Sequence, residues 1–220
     1  QEPPAVTVGP WQGAPTLMVR GKPEYPLFHF SQEILERYAR EFDKAGFIFY
    51  GSIEEHSFLD LGWKGSYDFD FTKLDKVLSA FHERLPHAYL LPKIHLWAPE
   101  WWIDRHPEEA VGFLLKPEAY EYVVGSGPKH ESFASELWQA EAAEGLKRLV
   151  RHVLDGPHAD RVMGIMVAGG TFGEWHPWAP HYVPDTSEPM RQAFIRHVRH
   201  KYRDDVEALR RAWRDDAVDF

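Results

Sequence analysis

The chain has 220 residues, of which 44% are hydrophobic, 15% aromatic and 27% charged, with a formal net charge of −9 and no Cys. This composition is typical of one large globular domain or two small ones, and it excludes a disordered chain. The chain is acidic and has no basic stripe, which argues against a nucleic-acid partner. No run of residues is apolar enough for a membrane span or a signal peptide. The lack of Cys excludes disulfides and thiolate metal sites. A chain without Cys is compatible with the cytoplasm and with secretion, so the sequence does not indicate the cellular compartment.

The first part of the chain alternates short apolar runs with a helical pattern. Residues 1–24 are interpreted as an extended lead-in and turn, and residues 25–220 as the main domain. A first strand is predicted over residues 26–30, followed by a helix that Ser31 caps and Gly46 ends. A second strand over residues 47–50 leads into a polar loop.

The alternation of strands and helices continues to the end of the chain. The later predicted elements are a helix from Thr72 to Leu85 with a capping box of Thr72 and Asp75, a strand over 88–96, a helix over 135–154, a strand over 162–168, and helices over 189–201 and from Asp205. An aromatic loop over 97–102 follows the third strand, and a long excursion over 112–131 precedes the helix.

This element order predicts an α/β fold with a parallel sheet. Two architectures fit it, an open doubly wound sheet and part of a (β/α)8 TIM barrel. No Gly-x-Gly-x-x-Gly motif follows the first strand, which weakens the dinucleotide-binding alternative. The polar and aromatic candidates fall after the strands, where barrel enzymes hold their active sites. We therefore expect a TIM barrel of which only the first four βα units are present, because a complete barrel takes about 250 residues.

Residues 169–178 hold the most informative stretch of the sequence. Three glycines permit a sharp turn after the fourth strand, and Glu174 then stands among two tryptophans and a histidine. Indole rings stack on sugar rings, and a partly desolvated carboxyl group keeps its proton nearer to neutral pH. The stretch taken alone fits both a sugar-cleaving site and an ordinary turn with packing tryptophans.

Several further segments resemble a known family. The segments resemble the retaining glycoside hydrolases of clan A. Residues 21–27 look like the opening turn of that clan, and residues 98–102 and 106–109 look like its segment after the third strand. Its segment after the acid/base strand is similar to residues 185–194, 201–202 and 206–213. The pattern is most similar to that of the family 42 β-galactosidases and their uncharacterised relatives.

The resemblance implies that Glu174 is the general acid/base. The residue before the acid/base is usually Asn in that clan, where it hydrogen-bonds the sugar, whereas this chain has Gly173. The nucleophile of the clan is a second Glu on the seventh strand, and no residue of this chain matches it. The cysteine zinc cluster of many family 42 members has no counterpart here, because the chain has no Cys.

The other candidate residues each have a structural alternative. The predicted substrate-binding residues are His29, Glu54, His56, His95, Trp97, Trp101, Trp102, Trp175, His176 and Trp178. The alternatives are loop anchoring for the tryptophans, packed core positions for the strand-end histidines, and solvated loop acids. The spacing of Glu174, His176 and His181 matches no metal-ligand motif, so neither a metal nor a cofactor is predicted.

The sequence thus predicts a glycoside hydrolase of the β-galactosidase type that acts on β-linked sugars by a retaining mechanism. The alternative is a half-barrel that binds carbohydrate, or serves in assembly, without catalysis. Since a half-barrel has open sheet edges, we also expect either a homo-oligomer or a complementing C-terminal half that supplies the nucleophile.

Overall fold

The computed structural model describes residues 5–30, 37–51, 62–65, 68–115, 130–171 and 173–220. These residues form two compact units. The first comprises residues 1–99 and 142–175, and the second comprises residues 100–141 and 176–220. The predicted boundary at residues 24 and 25 remains a prediction.

The segment predicted as a lead-in is a β-hairpin in the first unit. Strands β1 (Val6–Trp11) and β2 (Ala14–Val19) pair antiparallel, and the short β3 (Lys22–Pro23) adds to β2. Gln12 and Gly13 connect the strands with positive φ angles of 49° and 84°, which is the conformation that a two-residue hairpin turn requires. The sequence pattern missed this hairpin because its strands carry Gly9, Pro10 and Pro15 among their apolar residues.

Two parallel sheets are the centre of the first unit, one of three strands and one of two. Their strands are β4 (Phe28–Phe30), β5 (Phe49–Gly51), β8 (Tyr89–Leu91), β9 (Lys93–His95) and β10 (Met166–Ala168). β5 pairs with β4 on one side and with β8 on the other, and β10 pairs with β9. Pro92 separates β8 from β9, and its carbonyl oxygen accepts a hydrogen bond from Met166 N at 2.9 Å. The predicted third strand is therefore one extended segment that a proline interrupts.

Within both parallel sheets, neighbouring strands follow one another in sequence order, β4-β5-β8 and β9-β10. Doubly wound sheets reverse their order at a switch point, whereas the strands of a (β/α) barrel follow one another. The sequential order therefore favours a barrel-type arrangement over the doubly wound alternative.

Helices cover one face of these sheets. α1 (Arg37–Lys44), α2 (Thr72–Arg84) and the C-terminal part of α4 (Glu136–Asp155) contribute to one apolar core with the strand residues Tyr50, Leu90 and Ile94. The capping box predicted at Thr72 does not form, because the Asp70 carboxylate accepts the hydrogen bond from Thr72 N instead. A small antiparallel pair, β6 (Trp63–Gly65) and β7 (Asp68–Phe69), precedes α2.

The hairpin covers the opposite face of the three-stranded sheet. Ala5 and Val6 pack in a second apolar cluster with Phe49 and Tyr89, which alternate along their strands with the helix-facing residues. This face is closed by the hairpin near the beginning of the strands, so polar residues on it are found toward the strand ends.

The second unit is mainly helical. It contains α3 (Glu100–Arg105), the beginning of α4, α5 (Glu188–Tyr202) and α6 (Val206–Trp213). Ser187 caps α5 by accepting a hydrogen bond from Met190 N, and Asp205 caps α6 in the same way through Ala208 N. None of the described helices is both long and apolar enough to cross a lipid bilayer.

Candidate active site

A tight turn after β10 presents Glu174. Trp175 N donates to Gly169 O at 2.8 Å, and Gly173 N donates to Gly170 O at 3.0 Å, so the turn closes on itself. Gly170 and Gly173 have positive φ angles of 67° and 74°. The glycines thus give the predicted sharp turn, and Glu174 is exposed at its tip. The expected partial desolvation of this carboxylate is not seen within the described residues.

Trp97 ties the loop after β9 to this turn. Its indole is buried, and Nε1 donates to Gly170 O at 3.2 Å. The edge of the indole also packs on the His95 ring, with 4.3 Å between the ring centroids. These contacts anchor the turn, so the loop-anchoring alternative is favoured for Trp97.

His95 lies against Gly173, the residue before Glu174. A β-carbon on Gly173 would be 2.5 Å from His95 Cε1 and 3.0 Å from its Nδ1. Burial, and to a smaller extent the charge of Lys93, lowers the pKa of the His95 imidazole to about 4. The ring is therefore neutral at neutral pH, in the form that both donates and accepts hydrogen bonds.

Lys93 is a member of this cluster that the sequence interpretation missed. Its Cε would lie 2.8 Å from a β-carbon on Gly173, on the same side of β9 as His95. The strand period indicates this placement, because Lys93 and His95 are two residues apart and Ile94 between them faces the core.

Trp175 provides an exposed aromatic surface beside Glu174. A β-carbon on Gly169 would lie 2.9 Å from the Trp175 ring, so the indole covers that glycine, and 55% of the residue remains exposed. Its Nε1 donates to Val167 O at 3.4 Å, which holds the ring at the end of β10. An anchored and exposed indole is suited to stacking on a sugar.

His29 points to the helix-covered face of the sheet and not toward the expected mouth. Its ring stacks on Phe42 with 4.1 Å between centroids and meets the edge of Tyr50, a residue of the helix-facing core. The alternation along β4 places Phe30 on the other face instead, where it packs against Gly51. The packed alternative is therefore favoured for His29.

The remaining described candidates belong to the second unit. Trp102 is buried, with Nε1 donating to Glu141 Oε2 at 2.7 Å, and Trp178 is buried, with Nε1 donating to Glu131 O at 3.1 Å. Their burial favours a packing role in both cases. The half-buried Trp101 indole has the Arg105 guanidinium 4.9 Å from its centroid, and His176 is exposed.

Glu54 and His56 lie outside the described residues. Among the residues that the structure does describe, no cluster of three or more His, Asp or Glu side chains has the arrangement of a metal site.

The turn of residues 169–175 presents two exposed side chains, the carboxylate of Glu174 and the apolar indole of Trp175. His95 is neutral and only 5% exposed, so burial favours the packed alternative for it. Retaining hydrolysis also requires a second carboxylate about 5–5.5 Å from the first.

Comparison with solved structures identifies the fold. The chain is similar to a β-galactosidase from the psychrophilic Marinomonas ef1, with a TM-score of 0.56 and 20% identity over 85% of this chain. It is also similar to the β-galactosidases of the haloarchaeon Halorubrum lacusprofundi (TM-score 0.53, 21% identity, 84% of this chain) and of Rahnella sp. R3 (TM-score 0.53, 16% identity, 80% of this chain). No family model and no curated protein sequence matches the chain.

The structural match covers a part of these proteins. The chain spans about a quarter of each, 26%, 26% and 23% of their lengths. At such identities the match shows a shared fold, so the chain has a fold of the TIM-barrel type or a related one.

Proposed function

We propose that this chain carries the acid/base part of a glycoside hydrolase that acts on β-linked sugars with retention of configuration. The observation that carries the proposal is the turn after β10, which exposes Glu174 and Trp175 and packs Gly173 against the neutral His95 ring. The fold shared with three β-galactosidases and the family-like segments support it, and they favour clan A, family 42 and a β-galactoside substrate.

In the proposed mechanism Glu174 protonates the oxygen of the leaving group and later removes a proton from the attacking water. Trp175 supports the apolar face of the sugar ring, and the buried His95 ring supports the turn that carries Glu174. The nucleophile is a second carboxylate, which the resemblance places on a seventh strand. We propose that a further part of the barrel or a partner chain supplies it.

The sheet edges support the proposal of a completing partner. In the described residues β4 pairs only with β5, and β10 pairs only with β9, so both outer strands have an edge without a neighbour. Open edges and an incompletely covered sheet face favour pairing with another chain. We expect sedimentation to show either self-association or a complex with a complementing half, and a monodisperse, well-folded monomer would contradict this.

The function is tested with Glu174→Gln in the longest natural form of the protein. Hydrolysis of 4-nitrophenyl β-D-galactoside should fall by about 10²–10⁴ while the circular dichroism spectrum is unchanged, because Gln keeps the size but cannot transfer the proton. Glu83→Gln, an exposed acid on α2, is the matched control and should retain full activity. Unaltered turnover of the Glu174→Gln variant would show that Glu174 is not the general acid/base.

Sugar binding without catalysis is the second candidate function. The exposed Trp175 indole can bind a sugar without any second carboxylate, and this observation favours the second candidate. Saturable galactoside binding together with no hydrolysis, in every form that contains a complementing half, would decide for this alternative.

A further inference from the structure

The outer edge of β10 presents the backbone groups of Val167. Met166 N donates a hydrogen bond to Pro92 O at 2.9 Å, and Leu96 N donates one to Ala168 O at 2.8 Å. Met166 and Ala168 therefore direct their N–H and C=O groups toward β9, so Val167 between them directs its own groups away from β9. Among the described residues, no strand pairs with β10 on that side.

The indole of Trp175 occupies this edge. Its Nε1 donates to Val167 O at 3.4 Å. The turn holds the ring in place, because Trp175 N donates to Gly169 O at 2.8 Å and a β-carbon on Gly169 would lie 2.9 Å from the ring. The indole N–H thus takes the position at Val167 O in which a neighbouring strand would place a backbone N–H.

The edge of β10 lacks the proline that protects another open edge of the protein. Strand β10 has the sequence Met-Val-Ala, without proline or charge, and Val167 is 37% exposed. In the hairpin, Arg20 N donates to Ala5 O at 2.7 Å, so the alternation along β1 directs Pro10 away from β2. Pro10 has no N–H and interrupts the outer edge of β1, whereas Val167 retains its donor. The outer edge of β10 is therefore suited to pairing with another strand.

We propose that the outer edge of β10 is the docking surface for a parallel β-strand of the completing part of the barrel, and that this strand displaces Trp175 from Val167 O. The inference rests on the completing partner of the proposed function. The occupant is a parallel strand because the strand pairs of both central sheets are parallel and follow the sequence order. The chain also spans only about a quarter of the β-galactosidases that share its fold. A backbone N–H makes a shorter bond than 3.4 Å, and the released indole stays beside Glu174 because Trp175 N remains bonded to Gly169 O.

The experiment is an NMR titration of the isotopically labelled 220-residue chain with the blocked peptide acetyl-Thr-Val-Thr-Val-Thr-Val-amide. We expect the Val167 amide to become protected from hydrogen exchange, because it gains a partner, and the Trp175 Nε1–H signal to shift, because it loses one. A nitroxide at the N-terminus of the peptide should broaden the signal of Gly164, and one at the C-terminus should broaden that of Gly170. This pattern identifies parallel pairing, and the same peptide with Pro in place of each Thr is the control ligand.

Variants separate the cap from the edge. Trp175→Phe removes the indole donor and should tighten peptide binding about threefold to tenfold, the range that one net hydrogen bond gives. Trp11→Phe, at a 47% exposed tryptophan of the hairpin, is the matched control and should bind the peptide as the wild type does. Val167→Pro removes the outward N–H and should weaken binding more than about tenfold, while the hydrogen bonds of Met166 and Ala168 to β9 are retained. If Val167→Pro loses its native circular dichroism spectrum, the comparison of the two tryptophan variants decides alone.

Each outcome of these titrations has one meaning. Unchanged peptide affinity in Trp175→Phe, or a Trp175 Nε1–H signal that does not move at saturation, overturns the role of Trp175 as a cap. Absence of peptide binding, or the broadening pattern of an antiparallel strand, overturns the docking surface. Protection of Val167 that increases with protein concentration, without any peptide, overturns the assigned occupant because a second copy of the chain then covers the edge. The hydrolysis assay of Glu174→Gln uses no peptide and decides the proposed function separately.

Discussion

His95 packs so closely on Gly173 that a β-carbon at residue 173 would lie 2.5 Å from His95 Cε1. Gly173 also has a φ angle of +74°, in the left-handed region. Glycine is thus required here for two separate reasons, the backbone conformation and the space that the imidazole fills. Together they explain how the turn can pack Gly173, the residue before Glu174, against His95.

We expect Gly173→Ala to destabilise the protein more than an ordinary glycine substitution. The backbone strain of Ala at a positive φ costs about 1–2 kcal/mol, and the contact with His95 adds a further amount that chemical denaturation will measure. Gly13→Ala is the matched control, because Gly13 has a φ of +84° and nothing within 4 Å of its added β-carbon.

A double variant isolates the contact itself. His95→Ala should remove the imidazole's share of the steric effect of Gly173→Ala, while the contact with the flexible Lys93 stem remains. The double variant should therefore regain part of the stability by which Gly173→Ala falls below Gly13→Ala. Equal destabilisation by the two glycine substitutions would show that the imidazole moves aside at no cost.

The sequence pattern predicted the regular elements well. The helix expected over residues 135–154 is α4 (Glu136–Asp155), and the helix expected over 189–201 is α5 (Glu188–Tyr202). Both have an apolar period that only a helix satisfies, and Gly46 with its φ of +89° follows the end of α1 as predicted.

The site was predictable only in part. Glu174 after a glycine turn could be read from the sequence, whereas the facing directions of His29 and Lys93 depend on strand phase. A one-residue difference in phase exchanges the two faces of a strand, and the short strands β4 and β9 provide too little pattern to fix it. The tryptophans were ambiguous because burial and exposure of an indole depend on tertiary contacts.

Trp175 and Trp178 should respond oppositely to substitution by Ala. Trp178 is buried and stacks on His130 with 3.6 Å between centroids, so Trp178→Ala should cost about 3–5 kcal/mol of unfolding free energy. Trp175 is 55% exposed, so Trp175→Ala should cost less than about 1 kcal/mol but weaken galactoside binding.

Denaturant unfolding and calorimetric titration of the same two variants check this pair of expectations. A Trp175 variant with unchanged sugar affinity would remove this residue from the proposed site. A Trp178 variant of nearly wild-type stability would contradict a packing role.

Removing the indole N–H of Trp97 should loosen the turn after β10, while the rest of the fold is retained. Trp97→Phe keeps most of the buried ring but removes the donor to Gly170 O, so about 1–3 kcal/mol of stability should be lost. The amide exchange rates of residues 173–175 should increase, while those of β9 should not. Unchanged exchange in the turn would mean that its backbone bonds alone hold it.

Two histidines make the stability depend on pH. His82 stacks on His158 with 4.6 Å between centroids, and His158 is hydrogen-bonded to Ser79 at 3.1 Å. Burial, then the charges of His158 and Arg161, lowers the pKa of His82 to about 4, while the backbone of Leu78 and the charge of Asp160 oppose this change. His95 likewise has a pKa of about 4.

The unfolded chain therefore binds more protons than the folded one between the ordinary His pKa of about 6.5 and the folded value of about 4. Stability should be fully present above pH 6.5, decrease as the pH falls toward 4, and have no further contribution from these groups below it. We expect a loss on the order of 1–2 kcal/mol for each histidine after allowance for solvent screening. His82→Gln and His95→Gln cannot titrate, so each should flatten part of the curve of unfolding free energy against pH. A curve that keeps its full slope in the double variant would show that other groups cause the acid sensitivity.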